Sequence, residues 1–279
     1  MTSWLACWRL EDFALPSEHD HPTVFTRYIA LGDSVSIDLY PALDAGEIDV
    51  AVALERTVSA GQVAPIGAAS LLYQNSEAHW PDFVGEDLAT LSPGIELQNL
   101  AEDGATIGEV FGEQLPLVEA GEDPVLVTLT IGGNDLLSAY ANRPRRSLLE
   151  RIEHDIEEAY DFLVETLRTR LPQGTYVLTT VYDPSDRSGK IPGVFEEAGP
   201  LPLDVLDRLN AHVRRLASGT PRAVLADVYA HFLGHGVAVQ DQDCWYWRRS
   251  MIEPNARGAS EVRRVWLDAL HASGALGDD

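Results

Sequence analysis

Five short runs of β-branched and other apolar residues, each closed by Gly, Asn or Asp or by a change of period, constrain this chain more than any other feature. They are Arg27–Ser34, Ile95–Gly104, Pro124–Asp135, Thr175–Asp183 and Ala223–Ala230. Stretches with helical spacing separate them. The clearest is RRSLLERIEHDIEEAYDFLVETLRTRL, in which Leu149, Ile152, Ile156, Leu163 and Leu167 share one face before Pro172 and Gly174 end the helix. A second helix runs from Pro202 to Ala217, where Gly219 stops it. A third begins after Glu253, with Pro254 placed to start it and Val262, Val265, Trp266 and Leu270 on its buried side. A shorter one is expected over Trp80–Leu91. A strand that returns through a helix pairs in parallel, so the pattern predicts a three-layer α/β/α fold around a parallel sheet of about five strands.

The chain's 279 residues and 45% hydrophobic content suit one large core. A single domain is expected over residues 26–279, preceded by an N-terminal extension over residues 1–25. No apolar run approaches the roughly 18 residues of a membrane span, and the N-terminus lacks the pattern of a secretion signal. Two cysteines, Cys7 and Cys244, are too few for a disulfide framework, which points to a cytoplasmic setting. The group His19-Asp20-His21 precedes the first strand without further spaced ligands, so an exposed arm is expected there and no metal site. The net charge of −24, with Lys190 the single lysine, opposes nucleic acid and anionic lipid as partners. A small-molecule substrate fits that surface better.

In a parallel sheet, ligands bind beyond the carboxyl ends of the strands. There the sequence places Gly32-Asp33-Ser34, then Glu102-Asp103-Gly104, then Gly132-Gly133-Asn134-Asp135. A hydroxyl, a glycine backbone and a side-chain amide thus converge on one cleft. These are the parts that acyl transfer needs: a nucleophile for a carbonyl carbon, and N–H donors for the oxyanion that forms. Asp33 and Asp135 flank two of them and are expected to bind loop backbone.

The blocks YIALGDSVS, NLAEDGAT and TIGGNDLL, in that order and each at a strand end, resemble the SGNH or GDSL hydrolases. The resemblance implies a flavodoxin-like sheet and a serine esterase or lipase without metal or organic cofactor. It implies Ser34 as nucleophile, with the backbone N–H groups of Ser34 and Gly104 and the Asn134 amide as oxyanion hole. It runs from about Thr26 to Leu270. The family's fourth block reads Asp-x-x-His-Pro-Asn-x-x-Gly, and this chain has Ser250-Met-Ile-Glu253-Pro-Asn255-Ala-Arg-Gly258. The frame is kept, but the Asp and the His are replaced.

Three arrangements answer that loss. In the first, His235, between Gly234 and Gly236 in the loop after the fifth strand, reaches Ser34 and Glu253 orients it; triad geometry does not depend on chain order. In the second, Glu253 itself is the base, strengthened by burial among apolar neighbours. In the third, no base exists and the fold binds an ester or glycan without turnover. The run Cys244-Trp245-Tyr246-Trp247-Arg248-Arg249 precedes the fourth block, so Trp245, Trp247 and Arg248 are candidates for a substrate pocket, with core packing of the aromatics as the alternative.

Overall fold

The computed structural model describes residues 24–48, 63–141, 146–194 and 199–277. The N-terminal extension, except for residues 24 and 25, and the His19-Asp20-His21 group lie outside them, as does Cys7. Five strands, β1 (Arg27–Gly32), β2 (Glu96–Asn99), β3 (Val125–Thr130), β4 (Thr175–Thr179) and β5 (Ala223–Ala226), form one sheet in the order β2-β1-β3-β4-β5. Every pairing is parallel. Among the described residues the four longest helices are α1 (Gly133–Ala141), α2 (Arg146–Arg170), α3 (Leu203–Gly219) and α4 (Ala256–Ala272). This is the α/β/α arrangement that the alternating pattern predicts.

Period-two alternation divides the core between the two faces of the sheet. Ile29 and Leu31 of β1, Val127 and Leu129 of β3, and Leu178 of β4 pack on one face with Tyr160, Leu163 and Leu167 of α2 and Leu209 and Val213 of α3. Tyr28, Leu126 and Val177 point the other way, toward Val262, Trp266 and Leu270 of α4. β3 is buried along its whole length, as a central strand covered on both sides must be.

Three local expectations change. Trp80–Leu91 is not one helix: a single 3-10 turn over Pro81–Phe83 ends before Gly85, whose φ is 86°, and a short helix restarts at Leu88 under the Asp87 side-chain cap. The fifth run stops being a strand at Ala226, because Asp227 caps a helical turn over Val228–Phe232. Pro254 does not begin the last helix. It ends a short antiparallel ribbon of β6 (Tyr246–Trp247) and β7 (Ser250–Pro254), and α4 begins at Ala256, where the Asn255 side chain accepts a hydrogen bond of 2.8 Å from the Gly258 N–H.

The ribbon explains why the fourth block keeps its frame. A Cβ on Gly258 would meet the Trp245 carbonyl oxygen at 2.1 Å, so the ribbon and α4 approach closely only over a glycine. Asn255 also donates from its side chain to the Cys244 carbonyl at 2.8 Å, and its backbone N–H donates to the Trp245 carbonyl at 3.0 Å. None of this requires a histidine at position 253. None of the helices among the described residues is long and apolar enough to cross a membrane.

Candidate active site

Sheet order changes direction beside β1, where β2 lies on one side and β3 on the other, and the crevice at such a point is where ligands gather in this architecture. Ser34 follows β1 there and is 7% exposed. The turn that carries it rests on Gly32, with φ at 127°; a Cβ at that position would come within 1.9 Å of the Thr130 carbonyl oxygen. The buried Gln114 brackets the same glycine. Its carbonyl accepts from the Gly32 N–H at 2.8 Å, and its amide donates to the Gly32 carbonyl at 2.7 Å. The Asp33 N–H donates to the Thr130 carbonyl at 2.9 Å, which locks the start of the turn to β3. Ser34 is thereby presented on rigid backbone.

The second and third blocks are tied to each other. Asn134 donates from its side-chain amide to the Ala105 carbonyl at 3.0 Å, and the Asp135 carboxylate accepts from the Ile107 N–H at 3.2 Å. Gly104 stands just before this junction in the left-handed region, φ 76°, and is exposed. Asp33 accepts from the Val35 N–H at 3.2 Å. Both aspartates thus hold loop backbone, as expected from their positions.

A cavity of about 120 Å³ opens at this crevice, and Ser34, Asn134, Asp33 and Glu253 all line it. Glu253 is 6% exposed on β7. Burial pushes its carboxyl up to about 8; the nearby Ser34 hydroxyl pulls it down, while the charges of Asp103 and Asp33 raise it further. Glu253 Oε2 is buried with no hydrogen-bond partner. A buried carboxyl oxygen without a partner carries a desolvation cost that no hydrogen bond offsets. Asp33 is also pushed up, to about 7, first by burial and to a smaller extent by Asp135.

Two tyrosines absent from the sequence reading hold the glutamate's surroundings. Tyr182, from the end of β4, donates its hydroxyl to the Ile252 carbonyl at 2.6 Å, beside Glu253 in the chain. Tyr40 donates to Asp103 Oδ2 at 2.9 Å, and its ring meets that of Trp247 at 5.6 Å, linking the Gly104 loop to the ribbon. No motif announces either residue, because both act across contacts between distant segments. Gln114 escapes notice for the same reason.

The structure brings Ser34, Asn134 and Glu253 together and does not bring His235 to them. His235 Nδ1 meets the Asp243 carbonyl at 2.9 Å, and the ring stacks on Trp245 at 3.6 Å with planes 4° apart. It does not line the cavity. The flanking glycines serve the local fold: Gly234 takes a φ of 91°, and a Cβ at Gly236 would strike the Pro184 carbonyl oxygen at 2.5 Å. His231 is likewise engaged elsewhere, with Glu261 at 2.9 Å.

The pocket candidates Trp245, Trp247 and Arg248 also stand outside the cavity lining. Trp245 is 4% exposed and packs edge-on against Phe232. Arg248 pairs with Asp241 at 2.8 Å and donates to the Val237 and Val239 carbonyls at 2.9 and 2.7 Å. Aromatic packing and loop fastening account for the run. Among the described residues, no cluster of His, Cys, Asp and Glu is placed to hold a metal ion.

Comparison with known proteins agrees with this architecture. The model of the GDSL-like lipase/acylhydrolase family matches residues 58–260, which takes in the second, third and fourth blocks and begins after Ser34. Similar solved structures include an extracellular lipase from Streptomyces rimosus, 22% identical, with a TM-score of 0.54 over 88% of this chain and 99% of that one. A phospholipase A1 from Streptomyces albidoflavus is 19% identical, with a TM-score of 0.53 over 89% and 99% of the two chains. An acetylxylan esterase from Geobacillus stearothermophilus is 17% identical, with a TM-score of 0.57 over 92% and 97%. No curated protein matches the sequence.

Proposed function

The chain belongs to the GDSL-like lipase/acylhydrolase family, and from that premise we propose that it hydrolyses carboxylic esters through an acyl-Ser34 intermediate, with Glu253 as the base. The observation that carries this reading is the burial of Glu253 against Ser34 in a shared cavity, which raises its carboxyl to about 8. An ordinary glutamate, near 4.5, is too weak a base to take a serine proton efficiently. A glutamate at about 8 holds a proton more tightly than a free histidine, whose reference value is about 6.5. Desolvation thus supplies the basicity that the family's missing imidazole would have supplied.

The steps follow from that assignment. Ionised Glu253 accepts the proton of the Ser34 hydroxyl as Oγ bonds to the ester carbonyl carbon. The carbonyl oxygen gains the negative charge and lies against the N–H groups of Ser34 and Gly104 and the amide of Asn134. Collapse expels the alcohol, which takes the proton from Glu253. Water then attacks the acyl-serine, giving its proton to Glu253; the tetrahedral adduct breaks to the carboxylic acid, and the proton returns to Ser34.

Only the ionised fraction of Glu253 works as a base, roughly a tenth at pH 7 for a group near 8. Ester hydrolysis measured from pH 5 to pH 10 tests the assignment: kcat/KM rises with pH and is half-maximal near the Glu253 value. A half-maximum near 6.5 points to a histidine instead. Stoichiometric ester binding with no turnover at any pH favours a binding protein on the same fold.

A further inference from the structure

We propose that the cavity beside Ser34 is an acyl-chain site, and that it selects esters of medium-length aliphatic acids over acetyl esters. This rests on the reading of Ser34 as nucleophile and adds the substrate class. Polar groups line the cavity around Ser34 and beyond, among them Asp33, Asn134, Glu253, Thr180 and Asp183. Most of its wall is nonetheless apolar and includes Leu136, Leu149, Val205 and Leu206. Leu149 and Val205, with Ala139 and the partly buried Leu136, form a small apolar cluster separate from both main cores of the sheet. α1, α2 and α3 meet at this cluster, and the cavity extends from the crevice to it. Had these helices closed on one another, the leucines would fill the space themselves, as interiors normally do.

The occupant follows from continuity and size. Ser34 lines the same cavity as the apolar wall, so a chain bonded to it has a covered route along that wall. At about 120 Å³, and with about 15 Å³ of such volume taken for each carbon, the upper end of what one water-sized group needs, the site admits a chain of about eight carbons. An acetyl group would leave nearly all of that apolar wall uncovered. Each methylene transferred from water to the wall strengthens transition-state binding about fourfold until the space is full.

The test uses p-nitrophenyl esters from acetyl to palmitoyl with the whole protein. The expected kcat/KM climbs about fourfold per methylene, peaks near octanoyl, and falls for longer chains. Leu149→Trp and Val205→Phe should move the optimum to shorter acids and lower the octanoyl-to-acetyl ratio at least about tenfold. A profile that is highest for acetyl, or flat, overturns the proposal; so does a loss in both variants that is equal for every chain length.

Binding separates this proposal from the catalytic reading. In Ser34→Ala, which cannot acylate, calorimetric titration with n-alkanols from ethanol to dodecanol should give affinity that rises to about eight carbons, with a negative heat-capacity change. That result without any esterase activity in the parent keeps the acyl site and removes the hydrolase reading. Turnover without chain-dependent binding removes the acyl site and keeps the hydrolase.

Discussion

The crevice between β1 and β3 and the β6–β7 ribbon meet at Ser34, but different physics builds them. The crevice is made of backbone. Gly32, Gly104 and Gly132 take positive φ angles, Asn134 and Asp135 fasten adjoining loops, and Gln114 brackets the strand end. The ribbon contributes a single carboxyl whose chemistry comes from its surroundings: burial, two nearby aspartates, and an oxygen with no partner. One region holds geometry fixed, and the other stores a cost of desolvation. On the proposed reading, such a site loses the residue that usually supplies its base and keeps its nucleophile, because the replacement is buried.

That contrast makes predictions of decreasing size. Ser34→Ala removes the nucleophile and should lower kcat/KM by on the order of 10⁴-fold or more in a continuous ester assay. Glu253→Gln keeps shape and removes the proton acceptor, so a loss of about 10²–10⁴-fold is expected, together with loss of the rise near pH 8. Retention of that rise in the variant would break the comparison. Asn134→Ala removes one oxyanion donor and should cost about 10²–10³-fold in kcat with little change in KM.

Stability supplies an independent check with opposite sign. Both Glu253 and Asp33 have folded-state values raised above the ordinary carboxylate range, to about 8 and about 7. Relative to the unfolded chain, the native state then binds the extra protons, so the stability they favour is fully present below about pH 4 and is lost as pH rises through 7 and 8. Glu253→Gln cannot ionise. At pH 9 it should unfold about 5 °C higher than the parent by calorimetry, and the difference should shrink to nothing near pH 4. The substitution that lowers activity would thus stabilise the fold, which sharpens the case that position 253 is held at a cost.

The smallest effect belongs to the region that the sequence alone made attractive. His235→Ala should change kcat/KM by less than about twofold, since its ring is stacked on Trp245 and its Nδ1 faces the Asp243 carbonyl. A loss comparable to that of Glu253→Gln would show that the loop after β5 moves to Ser34 during catalysis.

What could be read from sequence follows the same division. Sheet, helix order and the three blocks at strand ends were legible because period, glycine position and order along the chain are local properties. The positions of Ser34, Gly104 and Asn134 follow from strand ends, and their proposed roles from the family resemblance. The ribbon was not legible, because Tyr246–Trp247 is two residues long and merges with an aromatic run that looks like a pocket wall. The proposed role of Glu253 was legible only as an option, because it depends on how far burial carries its carboxyl. Tyr40 and Tyr182 left no trace at all; each acts through a partner more than 60 positions away, Asp103 and Ile252 respectively.

The most direct test of Glu253 as base is the rate at which a fluorophosphonate labels Ser34 as a function of pH, followed by intact-protein mass spectrometry and peptide mapping. This isolates serine activation from ester binding and product release. The account predicts labelling at Ser34 with a half-maximal rate near pH 8, unchanged in His235→Ala and abolished in Glu253→Gln. A half-maximum near 6.5 that disappears in His235→Ala, or no labelling of the folded protein at any pH, would contradict it.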